Sequence, residues 1–119
     1  MLYRYELSLD GEKQDVGFMV GISEIDGLEE DEMEELMSTF DKTLPFPNFY
    51  RSCINKEKRN KAKAFFTEFG NSFFKNDINK LIGVFKERSC FDVDLILLEE
   101  TNEFLNIVYK DEYQCLVEF

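Results

Sequence analysis

The 119-residue chain contains no histidine. That absence excludes the usual acid–base group near neutral pH, the Ser-His-Asp and Cys-His nucleophilic sites, and imidazole ligands for a metal. Cysteine is scarce too: Cys53, Cys90 and Cys115 are an odd number with no CxxC spacing. Three scattered thiols cannot fill a four-ligand structural zinc site, and a disulfide framework would leave one over. A reducing cytoplasm is therefore the expected compartment. Long apolar runs are missing. Arg4, Glu6 and Asp10 interrupt the opening residues, so no signal-peptide core is seen, and nothing approaches the roughly 18 apolar residues of a membrane helix. Gly17 and Gly21 lie in an expected strand that leads to no helix, so they form no phosphate-cradling loop. Positive charge is outnumbered, 14 Lys and Arg against 25 Asp and Glu. The net charge of −11 argues against a nucleic-acid or anionic-membrane binder and favours solubility.

What is present is ample material for a core. The chain is 44% hydrophobic with 13 Phe, and its length suits one domain spanning residues 1–119. In LYRYELSL, Tyr3, Tyr5, Leu7 and Leu9 alternate with polar residues, which predicts a half-buried strand. Val16, Phe18, Val20 and Ile22 predict a second. Setting Leu9 against Val16 and Tyr3 against Ile22 gathers every apolar residue on one face, with residues 10–15 as the hairpin loop rather than a tight Asp10-Gly11 turn. Met33, Leu36, Met37, Phe40 and Leu44 trace a helical stripe, with Asp26 as N-cap, Glu29 completing a capping box, and Pro45 and Pro47 as the stop. Phe69, Phe73, Phe74, Ile78, Leu81, Ile82 and Phe85 predict a second helix to about Lys86. Residues 64–66 fit either a short strand before it, capped by Thr67, or the tail of an earlier helix ended by Gly70. Phe91 to Leu97, Leu105 to Tyr109 and Tyr113 to Phe119 alternate and predict a three-strand meander. The expected fold is a two-layer α+β sandwich. It has a mostly antiparallel five-stranded sheet, made of the N-terminal hairpin and the C-terminal meander, with two helices on one face.

Three surfaces stand out. Glu24, Asp26, Glu29, Glu30, Asp31, Glu32, Glu34 and Glu35 form an acidic run without a compensating base. As a calcium loop it fails, because a sharp turn at Gly27 would place Ile22 and Met33 at ligand positions. Its readings are a solvated, capped helix face or a carboxylate array imitating nucleic acid. Residues 51–63 carry six bases, Arg51, Lys56, Lys58, Arg59, Lys61 and Lys63, against Glu57 alone. Their +5 leaves −16 on the other 106 residues, so a basic loop folded back on the acidic helix is expected rather than a nucleic-acid site. Met19, Ile96, Leu98, Val108 and Leu116 fall on the even, solvent-side parity of the expected strands. Together they would make an apolar patch for a protein partner or a second copy of the chain.

Catalytic patterns are thin. Asp92 and Asp94 share a strand face, as a metal nuclease's carboxylates would, but no Pro-Asp precedes them and no Glu-x-Lys follows. Cys53 sits among bases that would lower a thiol pKa, with no histidine to activate it. The leading expectation is a non-enzymatic interaction or regulatory domain, docking through the back of its sheet, its acidic helix, or both, with no cofactor. An acidic nucleic-acid mimic is the alternative, and an enzyme built on Asp92, Asp94 or Cys53 is the third reading.

Overall fold

Asp10 and Gly11 both take left-handed backbone angles, with φ of +51° and +82°, the geometry of a tight two-residue hairpin turn. The computed structural model, which describes residues 1–44 and 62–119, therefore joins β1 (Leu2–Leu9) to β2 (Glu12–Gly17) directly. Leu9 faces Glu12 and Ser8 faces Lys13, so the longer loop and the Leu9–Val16 register are corrected. The apolar residues that suggested a second strand go elsewhere. Phe18–Gly21 forms the short helix α1 and Ile22–Glu24 a 3-10 turn, which bury Phe18, Ile22 and then Ile25 at helical spacing. Val20, which a strand would have buried with them, is 75% exposed. Over so few residues, period two and period 3.6 both fit. A bulge separates the Ser8–Lys13 pair from the Glu6–Gly17 pair, and Asp15 lies within it at φ +56°. It redirects the chain from β2 into α1.

The N-cap of helix α2 (Glu30–Thr43) lies three residues later than expected: Glu29 and Glu32 form the capping box in place of Asp26 and Glu29. Buried Ile25 and a left-handed Gly27, at φ +77°, hold Asp26 in the preceding turn. Its stripe reads as expected, with Phe40 and Leu44 buried and Met33, Leu36 and Met37 packed beside them. Leu44, ahead of Pro45, is extended at ψ 133°.

Residues 62–66 are strand β3, and the Thr67 hydroxyl accepts the Gly70 N–H to start α3 (Glu68–Phe73). The expected single helix is two, because the chain bends at Phe74 before α4 (Lys75–Arg88). Phe74, Ile78, Leu81 and Phe85 are buried, whereas Phe69 and Phe73 lie half exposed with their rings against Tyr113.

The C-terminal meander is corrected as well. Strand β4 (Asp92–Leu98) leaves its neighbours and pairs with β1 at seven consecutive positions, from Leu2–Leu98 to Ser8–Asp92. Only β5 (Asn106–Lys110) and β6 (Gln114–Glu118) form the hairpin. The six-stranded antiparallel sheet runs β2-β1-β3-β6-β5, with β4 added to β1. Since β4 occupies one edge of β1, β2 and β3 share the other, β2 along Glu6–Leu9 and β3 at Tyr3. The non-local pairing segregates side chains better than a meander would. It sets Asp92 and Asp94 beside Ser8 and Glu6, and brings Ile96 and Leu98 to a cluster with Leu2, Phe65, Cys115 and Val117.

The architecture is the expected two-layer α+β sandwich, with six strands instead of five, and α2 and α4 on one face. Phe40, Phe66, Phe74 and Phe85 fill the layer between helices and sheet. The opposite face carries the smaller cluster. The link from β4 to β5 crosses from one side of the sheet to the other, and its Leu105 packs on that cluster.

Candidate functional site

Strand β4 reads DVDLILL, and its outer edge is the open feature of the sheet. Among the described residues it pairs with β1 alone, so a row of its backbone N–H and C=O groups faces outward. Natural edges are blunted by Lys, Pro or a bulge. Residues 95–98 have no charge and no proline, and their register with β1 is unbroken. Val93, Leu95 and Leu97 point to the helix side, opposite Leu7, Tyr5 and Tyr3. Val93 packs on the core, but Leu95 and Leu97 lie beyond the helices and are each 49% exposed. Beside them the tyrosines lean on α3: the Tyr5 hydroxyl donates to Asn71 Oδ1 at 2.7 Å and the Tyr3 hydroxyl to Glu68 Oε1 at 2.9 Å.

The five residues expected to form one apolar patch are divided among three places. Ile96 and Leu98 pack on the smaller cluster. Met19 and Leu116 line a cavity on the helix side of the sheet, and Leu116 is buried. Val108, half-buried, sits at the irregularity in the β5–β6 register. Parity explains the division. β6 turns Gln114 and Leu116 toward the helices and Cys115 and Val117 away, the reverse of the odd–even sense of β1.

Of the eight acidic residues, seven are exposed and Glu32 is half-buried. Glu29 and Glu32 cap α2, and Arg88 from the end of α4 pairs with Glu32 while donating to the Gly27 carbonyl at 2.8 Å. That guanidinium ties the two helices together at the acidic end. Of the basic loop, Arg51, Lys56, Lys58, Arg59 and Lys61 lie outside the described residues, as does Cys53. Lys63 is on β3, paired with Asp15 and 3.7 Å from Glu6, rather than on the acidic helix. Its hydrogen bond and charge hold the Asp15 carboxyl below its ordinary pKa.

Asp92 and Asp94 share the face away from the helices with Glu6, which is buried and bonded to Arg4 Nε at 2.7 Å. Among the described residues no group of three carboxylates or thiols is arranged to hold a metal ion. Cys115 is buried, which pushes its thiol pKa up and away from a nucleophile's, whereas Cys90 is exposed. No helix among these residues is long and apolar enough to cross a membrane.

Two features escaped the sequence reading. The free edge of β4 depends on a partner strand some ninety residues distant. Gln114 reads as an ordinary solvent-side polar residue until the parity of β6 turns it inward. Comparison with protein-family models, with curated proteins and with solved structures returns no match.

Proposed function

We propose that this is a non-enzymatic docking domain that takes an extended segment of a partner protein onto the outer edge of β4. The carrying observation is the edge of β4 left unpaired among the described residues, with Leu95 and Leu97 half exposed alongside it. Main-chain hydrogen bonds supply affinity in such strand addition, and alternate side chains supply specificity. The edge carries Asp92 and Asp94 at one end and Glu99 at the other, with Glu100 already paired to Lys110, in a chain whose net charge is −11. The fitting segment is therefore apolar at alternate positions with Lys or Arg at its ends. A second copy fits less well, since it would bring two strongly acidic molecules together.

The test is selection of displayed peptides on the purified chain, at about 0.1 and 0.5 M salt. Peptides of that pattern, retained at high salt and lost on Leu95→Lys with Leu97→Lys, are expected. Ligands indifferent to those changes but lost when Glu30, Asp31, Glu34 and Glu35 become amides would overturn this reading. If they also released at high salt, the acidic-mimic reading would replace it.

A further inference from the structure

On α3, Phe69 and Phe73 are four residues apart, so their rings share one side of the helix and stack at 5.9 Å between centroids. Tyr113, at the turn from β5 to β6, closes the group, 5.5 Å from Phe69 and 5.2 Å from Phe73. The backbone fixes all three. The Thr67 N–H donates to the Tyr113 carbonyl at 3.0 Å, and the Thr67 hydroxyl donates to the Glu112 carbonyl at 2.6 Å. Yet among the described residues Phe69 and Phe73 are 51% and 48% exposed, at the end of the β3–β6 ladder opposite Ala62. Large apolar side chains gathered and held at a surface mark a place of contact.

The rim of this cluster is acidic. Residues 67–77 and 111–113 hold Glu68, Asp77, Asp111 and Glu112 against Lys75 alone. The partners of Glu68 and Asp111 are tyrosine hydroxyls and backbone N–H groups, which leave their charge in place, and the Met1 amine, 3.7 Å from Glu68, offsets one of the four. Glu112 lies beside the Tyr113 hydroxyl: burial first, then its charge and hydrogen bonding, raise that hydroxyl above its ordinary pKa. A wholly apolar partner would strip water from these carboxylates without replacing it, and an anion would be repelled. The fitting occupant is a cation. Ring centroids 5.2 to 5.9 Å apart leave no gap for a rounded ammonium to enter, so the cation must lie on an outer ring face. Arginine suits that geometry, because its guanidinium is planar, weakly hydrated and stacks on aromatic faces while its edge donates to carboxylates.

We propose that Phe69, Phe73 and Tyr113 form a second docking surface, which takes an arginine side chain of a partner protein flat against its rings, with the charge turned toward Glu112. The surface is built from α3 and the β5–β6 turn, so it does not rest on the β4 docking reading.

The test uses the full-length chain with ¹³C-labelled Phe and Tyr rings. In the free protein, a soluble nitroxide should broaden Phe69 and Phe73 comparably with Phe104, which is 86% exposed. The chain is then titrated with a capped peptide of alternating glycine and arginine and, separately, with its lysine counterpart of equal charge. Saturable shifts at Phe69, Phe73 and Tyr113, with Phe104 unmoved, are expected, and arginine should bind about threefold more tightly than lysine. Phe69→Leu with Phe73→Leu keeps the apolar bulk but removes the ring faces, and should erase that preference. Should this variant fail to fold, the wild-type complex serves instead: ring currents should move the arginine δ-methylene protons upfield, and the lysine ε-methylene protons less. Rings shielded from the nitroxide in the free chain, equal affinity for the two peptides, or a preference that survives the leucines would each overturn the proposal. Ring shifts that grow with protein concentration alone would overturn it in favour of a second copy.

Discussion

Gly70 stands where α3 meets the turn between β5 and β6, and a methyl at its Cα would lie 1.9 Å from the Tyr113 carbonyl oxygen. The contact is backbone against helix, so no flexible side chain can yield. Thr67 tightens the same junction. Its N–H donates to the Tyr113 carbonyl at 3.0 Å, and its hydroxyl donates to the Glu112 carbonyl at 2.6 Å while accepting from Gly70. Gly70→Ala is expected to destabilise the protein by about 3 kcal/mol, read as a lower urea midpoint at unchanged slope. Tyr5, across β1 from this junction, makes a pH prediction. Burial pushes its hydroxyl above the ordinary pKa of 10.0, and Tyr3 shifts the same way, chiefly through its bond to Glu68. The unfolded chain loses these protons first. Their stabilisation is therefore complete below pH 10 and declines as pH rises from there through the folded-state values. Melting curves across that range should show the decline, and Tyr5→Phe should make it shallower.

At the scale of elements, the first hairpin rests on its two-residue turn. With φ of +82°, Gly11 occupies a region that a β-carbon disfavours, so Gly11→Ala should cost about 1 kcal/mol in a urea titration. That turn also marks where sequence patterning stops being informative. Helix α2 was legible because Met33, Leu36, Met37, Phe40 and Leu44 repeat over three turns, long enough to exclude a strand. Residues 16–22 were not, because a seven-residue apolar run fits both periods, and burying Phe18 with Ile22 against Leu7 decides between them. The cap of α2 moved for a tertiary reason, the burial of Ile25. Strand β4 was recognisable as a strand, but its partner was not, since alternation says which face is apolar and nothing about which edge is taken. The site followed the same rule. The acidic run could be read as a capped helix start, whereas the aromatic cluster required the contact of Tyr113 with α3, which depends on how β6 meets β3.

The whole molecule is a sheet with a core on each face, unequal in size. The larger lies under α2 and α4, and the smaller is built from Leu2, Phe65, Cys115 and Val117 beneath the β4–β5 link. Strand β1 contributes to both, with Leu7 in one and Leu2 in the other, and it touches three other strands.

That shared strand also sets a timetable. Leu2 and Leu98 are partners in the register, 96 residues apart in the chain. At ribosomal rates of about 5 to 20 residues per second, β1 waits roughly 5 to 20 s after its synthesis for β4 to be made. Throughout that interval one full edge of a strand apolar on alternate residues is open to whatever nascent chain or chaperone meets it first. The domain's yield in a cell should thus be decided as much by what shelters β1 during translation as by the stability of the finished fold.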